Sequence, residues 1–128
     1  MSATRFSQFL DWLSTPHNQR ALAVTRTLLG ILMVYIYTIN YAHRHFLLGP
    51  NGIYPYSERF NLFYTTSPLV FEITYFLAIV AAICFALGLG GRITTFVNWL
   101  FFWSWSNATW VIGDGGDNLL RIMLFYML

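Results

Sequence analysis

The chain has 128 residues, of which 57% are hydrophobic, 20% aromatic and only 9% charged. A soluble domain carries roughly 25% charged residues, so a chain of this composition cannot cover a water-facing surface with charge, and lipid is its natural solvent. The formal net charge is +2 and all seven basic residues are arginine, which is too weak and too dispersed for a nucleic-acid footprint and excludes nucleic acid as a partner.

Residues 1–17 read as an N-terminal amphipathic, interfacial segment. Over Ser2 to Ser14 the apolar residues Phe6, Phe9, Leu10 and Leu13 recur at the three- and four-residue spacing of a helix with one apolar face, which lies along a membrane surface. Pro16 with His17-Asn18 then signals a break. The first residues contain Asp11, Pro16 and His17 and no sustained apolar run, so a cleaved signal peptide is not expected. Residues 18–128 form the transmembrane domain.

The first span is expected from Ala21 to Tyr41, since about 20 residues at a rise of about 1.5 Å cross a hydrocarbon core of about 30 Å. Tyr35, Tyr37, Tyr41 and the cluster His43-Arg44-His45 mark one interface. The loop Phe46 to Ser67 opens on the turn Gly49-Pro50-Asn51-Gly52 and breaks again at Pro55. A short interfacial helix is expected over Glu58 to Tyr64, and the loop's aromatics imply packing onto the membrane surface or other helices. A second span, Leu69 to Leu87, follows Pro68 and ends in the reversal Gly88-Leu89-Gly90-Gly91. Cys84, inside it, reads as a small buried hydrophobe, and a single cysteine excludes an internal disulfide.

A third span runs from Arg92 to about Ile112 through Trp99, Trp103, Trp105 and Trp110. After the turn Gly113 to Asp117, a fourth helix begins at Asn118 and is still apolar at Leu128. Only 11 residues follow that turn, about 16 Å of helix or half a bilayer. The expectation is therefore the front part of a longer domain, with further helices beyond Leu128. The fold class is all-α: a multi-pass transmembrane helical bundle of three full spans plus the start of a fourth, preceded by an interfacial amphipathic helix. Arg5, Arg20 and Arg92 fall on the N-terminal side and Arg44 and Arg59 opposite, which with the compact Arg92 turn orients the N-terminus to the cytoplasm.

The densest polar constellation is Asp114, Asp117, Asn118 and Arg121. Asp117 suits an N-cap at the positive end of the fourth helix's dipole, and Arg121 at i+4 meets it on one face. The carboxylates and the amide of this glycine-rich turn are also oxygen ligands, but the spacing completes no calcium loop and no metal site is assigned. Arg26 lies about one turn inside the first span, where a charge snorkels, touches a lipid headgroup or pairs with an acid. Pairing with Glu72, Asp114 or Asp117 is disfavoured, because this topology puts all three acids at the opposite face, which leaves snorkelling or a lipid headgroup. Trp99, Trp103 and Trp110 share a helix face with Ser106 beside them, while Ser104, Asn107 and Val111 form a neighbouring stripe and Asn98 adds an amide. Interhelical hydrogen bonding and aromatic packing is one reading; an aromatic pocket for a quinone-like ring is the other. His43 and His45 point to different faces, and no second histidine at their depth offers a metal or haem pair.

Several segments taken in order carry a resemblance. They are Ala23-Val24-Thr25-Arg26-Thr27-Leu28-Leu29-Gly30, Leu48-Gly49-Pro50-Asn51-Gly52-Ile53-Tyr54-Pro55, Leu87-Gly88-Leu89-Gly90-Gly91-Arg92, and Gly113 to Arg121. Over residues 18–128 the sequence resembles the HTTM superfamily, the membrane domain of vitamin K-dependent gamma-carboxylase and of bacterial proteins such as the sporulation-delaying protein B. The resemblance implies a multi-pass protein of the bacterial inner membrane. The carboxylase base is a lysine in a later span, and this chain has no lysine. An Asn-His pair of the carboxylase stands where Asp117-Asn118 stands here, so the resemblance transfers the fold without the carboxylation. The expected function is assisting maturation or export of a partner, a secreted peptide or another membrane protein, as the sporulation-delaying type does. The alternative is a quinone-linked membrane enzyme related to the carboxylase or to DoxX-type subunits, with a quinone as its cofactor.

Overall fold

A computed structural model of the chain describes residues 7–8, 11, 16–49, 52, 60–65, 67–110 and 115–128. Among these the secondary structure is helical, with no strand: α1 (Pro16–Ile39), a 3-10 turn (Tyr41–His43), α2 (Arg44–Leu47), α3 (Pro68–Leu87), α4 (Gly91–Ala108) and α5 (Gly115–Tyr126). Ser7, Gln8 and Asp11 are helical and exposed, and most of the expected interfacial helix lies outside the described residues. Pro16 opens α1 instead of breaking the chain. Proline's fixed φ and missing N–H cost nothing in a first turn, where that N–H has no intrahelical acceptor.

Two helices are long and apolar enough to cross a membrane, over Gln19–Ile39 and Pro68–Leu87. Only 22% and 33% of their apolar stretches are buried within the protein, so most of their leucine, isoleucine and valine side chains face outward. They pack antiparallel. The Thr27 hydroxyl reaches the Ala86 carbonyl at 3.2 Å near one end, and the Tyr75 hydroxyl donates to the Tyr37 carbonyl at 2.7 Å near the other. One turn along α1 from the first of these points, Gly30 faces the same Ala86 so closely that a Cβ on it would stand 2.5 Å from the Ala86 Cβ and 2.6 Å from its Cα. Small residues at such a crossing let the two backbones approach closely.

The α3–α4 reversal follows from its glycines. Gly88 ends α3 with φ +75°, and the Leu89 N–H returns to the Cys84 carbonyl at 2.9 Å. That is the six-to-one bond of a Schellman cap, whose left-handed residue is most cheaply a glycine. Gly90 then leads into α4 with φ +77°.

The third expected span, Arg92 to Ile112, takes a different form. Its helix ends at Ala108, Thr109 and Trp110 form a turn, and Val111 and Ile112 lie outside the described residues. At about 27 Å it nearly matches a bilayer in length, but it is not among the two helices that pass on apolar content. Arg92 opens it, and its inward face is polar as well, with Thr95, Asn98, Ser104 and Asn107 all buried. The fourth helix begins at Gly115, three residues before the expected Asn118. Cys84 is half-buried, less enclosed than a core hydrophobe.

The core is aromatic. Tyr37, Phe63, Phe71, Tyr75 and Phe102 are fully buried, with Trp105 close to it. Trp105 meets Tyr37 edge-on at 5.5 Å and Phe63 at 6.4 Å, the perpendicular arrangement that aromatic quadrupoles favour.

Candidate functional site

At the end of the α1–α3 hairpin nearest α2, an ion cluster ties three segments together. The Arg44 Nη2 lies 2.9 Å from Glu72 Oε1, and its Nε lies 3.2 Å from both carboxylate oxygens. His45 Nε2 also contacts Glu72 Oε1. The guanidinium stacks on Tyr41, 3.9 Å from the ring centre, and its Nη1 donates to the Tyr41 carbonyl at 2.6 Å. The hydrogen bond to Glu72 raises the Arg44 pKa above its ordinary value, although partial burial pulls the other way. Sequence reasoning weighed Glu72 against Arg26 and missed Arg44. The available signal was topological: in an antiparallel hairpin, residues just past the end of the first span lie beside the first turn of the second.

The described part of the long loop plugs into the bundle. Phe60 and Asn61 carry no regular structure and Leu62-Phe63 form a turn, so the helix expected over Glu58 to Tyr64 is absent from its described part. The Leu62 N–H donates to Ser104 Oγ at 2.5 Å, the Ser104 hydroxyl donates to Asn61 Oδ1 at 3.1 Å, and the Phe63 N–H reaches the same oxygen at 2.9 Å. Asn107 Nδ2 donates to the Phe60 carbonyl at 2.9 Å. The Ser104 and Asn107 stripe of α4 therefore holds the loop, correcting the expectation of helix-to-helix bonds. These bonds seat Phe63 against Tyr75, Phe101 and Trp105. Ser104→Ala is expected to cost about 1 kcal/mol by leaving the Leu62 N–H unpaired, read as a lower unfolding midpoint in detergent. Unchanged stability would show that the loop is not anchored there.

Among the four residues of the expected polar site, Asp114 lies outside the described residues. Asp117 falls within the first turn of α5, not ahead of it, so it complements the helix dipole from inside. Arg121 Nη2 donates to Asn118 Oδ1 at 3.2 Å. Arg121 also borders an open groove of about 530 Å³ between α4 and α5, lined by Trp99, Trp103, Ile122, Phe125 and Tyr126. Trp99 stacks on Trp103 at 5.0 Å and on Phe125 at 5.7 Å, and its Nε1 is buried without a hydrogen-bond partner. Trp110, grouped with them by spacing, is 57% exposed, and among the described tryptophans the buried one is Trp105. No group of three His, Cys, Asp or Glu side chains able to hold a metal occurs among the described residues.

Arg26 sits at the other end of the hairpin, with its guanidinium over Gly88 where any Cβ would collide with it. There it meets the carbonyl end of α3, whose dipole favours a cation. Arg26 and Glu72 are thus at opposite ends, as the antiparallel arrangement requires. Set against known proteins, the chain matches no family model, no curated protein and no solved structure.

Proposed function

From the outward apolar faces of α1 and α3, we propose that this chain is a multi-pass integral membrane protein of HTTM type that assists maturation or export of a partner. The observation that carries the membrane reading is the direction of the apolar side chains. Leu28 is 61% exposed, Leu69 70% and Phe76 65%, on helices long enough to span a bilayer. Fully burying one such side chain away from water is worth about 1.5–3 kcal/mol, so a surface made of many of them belongs in lipid. In this reading α4 is the third crossing, its polar face turned inward to the loop, and α5 enters as the fourth. The N-terminus is cytoplasmic in a bacterial inner membrane.

Support for a partner-binding role comes from how the polar side chains are used. Arg44, Glu72, Ser104 and Asn107 are engaged in holding the fold, while the groove between α4 and α5 stays open to the side. The quinone-linked reading is favoured by one feature of that groove, its facing aromatic rings with Arg121 at the rim. Solvent extraction of the purified full chain distinguishes the two: a stoichiometric quinone supports the enzyme reading, and a quinone-free preparation that retains a secreted peptide supports the maturation reading.

Topology is tested by impermeant maleimide labelling of intact cells, with Cys84 replaced by serine and single cysteines at Gln19, His43 and Trp110. His43→Cys and Trp110→Cys are expected to react from outside, and Gln19→Cys only after permeabilisation. Labelling of Trp110→Cys on the same side as Gln19→Cys would remove α4 as a crossing.

A further inference from the structure

A cavity of about 500 Å³ opens where the start of α1, the start of α4 and the end of α5 converge. Gln19, Arg26, Arg92 and Thr95 supply its polar wall, and Leu22 and Met127 contribute to its apolar one. Neither arginine has an ion-pair partner among the described residues, and the Arg26 Nε is buried with no acceptor. The α4 backbone adds the same sign of charge. Its N-cap is Gly90, without a side-chain cap, and no acidic residue occupies its first turn. Free N–H groups and the positive end of the dipole therefore accompany the two guanidiniums. The carbonyl end of α3 offsets part of the Arg26 charge, but Arg92 stands at the positive end of its own helix. Two guanidiniums and an uncapped helix start around one cavity give it a positive potential that favours an anion.

We infer that this cavity binds the phosphate of an anionic phospholipid, held between Arg26 and Arg92 with the first-turn N–H groups of α4 in reach. The inference rests on the membrane reading. Depth supports a lipid source, because Arg26 lies about 10 Å along the helix from Gln19, where the apolar stretch begins. From that depth a long guanidinium side chain snorkels towards the headgroups, and basic pockets between transmembrane helices are known headgroup sites. Leu22 and Met127 offer the apolar surface that acyl chains require. Free phosphate shares the chemistry and would engage the same donors without the apolar wall.

The test uses the full chain purified in mild detergent, with lipid retention followed by native mass spectrometry. The probes are phosphatidylglycerol, phosphatidylcholine and inorganic phosphate. Phosphatidylglycerol is expected to be retained over phosphatidylcholine, and Arg92→Gln to weaken that retention about fivefold, the effect of one basic residue at a headgroup. Arg92 is exposed and unpaired, so this variant should fold; Arg26→Gln also removes a contact at Gly88 and serves as the second variant. Arg121→Gln, in the other groove, should bind as the parent does. Inorganic phosphate that binds with the same Arg92 dependence, with no preference between lipids, keeps the site and assigns it to the free anion. Equal retention of both lipids with no phosphate binding, or Arg92→Gln behaving as the parent, overturns the inference. Alkaline carbonate extraction reads the membrane reading separately: a chain washed from the membrane refutes that reading, while the phosphate arm still reports on the cavity.

Discussion

Gly30→Leu is expected to force α1 and α3 apart and to lower the unfolding midpoint of the detergent-solubilised protein. The obstruction is backbone, because a Cβ at this position would stand 2.6 Å from the Ala86 Cα and 2.8 Å from its nitrogen. A rotamer change cannot relieve it, and the helices must separate along their length. Overpacking of a close-packed contact costs about 1–3 kcal/mol, and here the shift also threatens the Thr27 to Ala86 hydrogen bond. Ile31→Leu next door is the control, since Ile31 is 56% exposed and surface changes stay within about 0.5 kcal/mol. Equal midpoints for the two variants would mean that the hairpin does not pack at Gly30.

Arg44→Ala is expected to be the second large effect, at about 2 kcal/mol. It removes a forked contact to Glu72, a stacked contact to Tyr41 and a bond to the Tyr41 carbonyl at once. The figure is kept below that of a fully buried pair because the Glu72 side chain is 37% exposed and water screens part of the attraction. Arg44→Lys should recover little, since an ammonium cannot reproduce the planar fork or the stacking. A double-mutant cycle with Glu72→Ala isolates the pair, with an expected coupling of about 1 kcal/mol. Strict additivity would show that Arg44 acts through Tyr41 alone.

Much of the architecture was legible because it rests on local rules. Composition and run length pointed to the helix pair at Gln19–Ile39 and Pro68–Leu87. Pro68 at a helix start and Gly88 at its end are residues whose backbone preferences act without any neighbour. The same local logic misread Pro16, where break and helix start share one residue type, and it placed the fourth helix three residues late. The candidate polar site was less legible. Spacing put Asp117 with Arg121, whereas the Arg121 guanidinium donates to Asn118.

By itself, then, the sequence determined that this is a helical protein with two apolar helices of membrane-spanning length, joined to the next helix by a glycine reversal. Those properties follow from side-chain hydropathy and backbone φ preferences, which each residue carries wherever it is placed. Only the tertiary structure decided that Glu72 belongs to Arg44, that Ser104 and Asn107 hold a loop, that Trp105 is the core tryptophan, and that Arg26 and Arg92 share a cavity. These pairings join residues that are 28, 42, 47 and 66 positions apart. Helical periodicity tells which residues share a face, but the partner of that face is set by how the helices cross, at points such as Gly30 against Ala86 where the backbones can approach most closely.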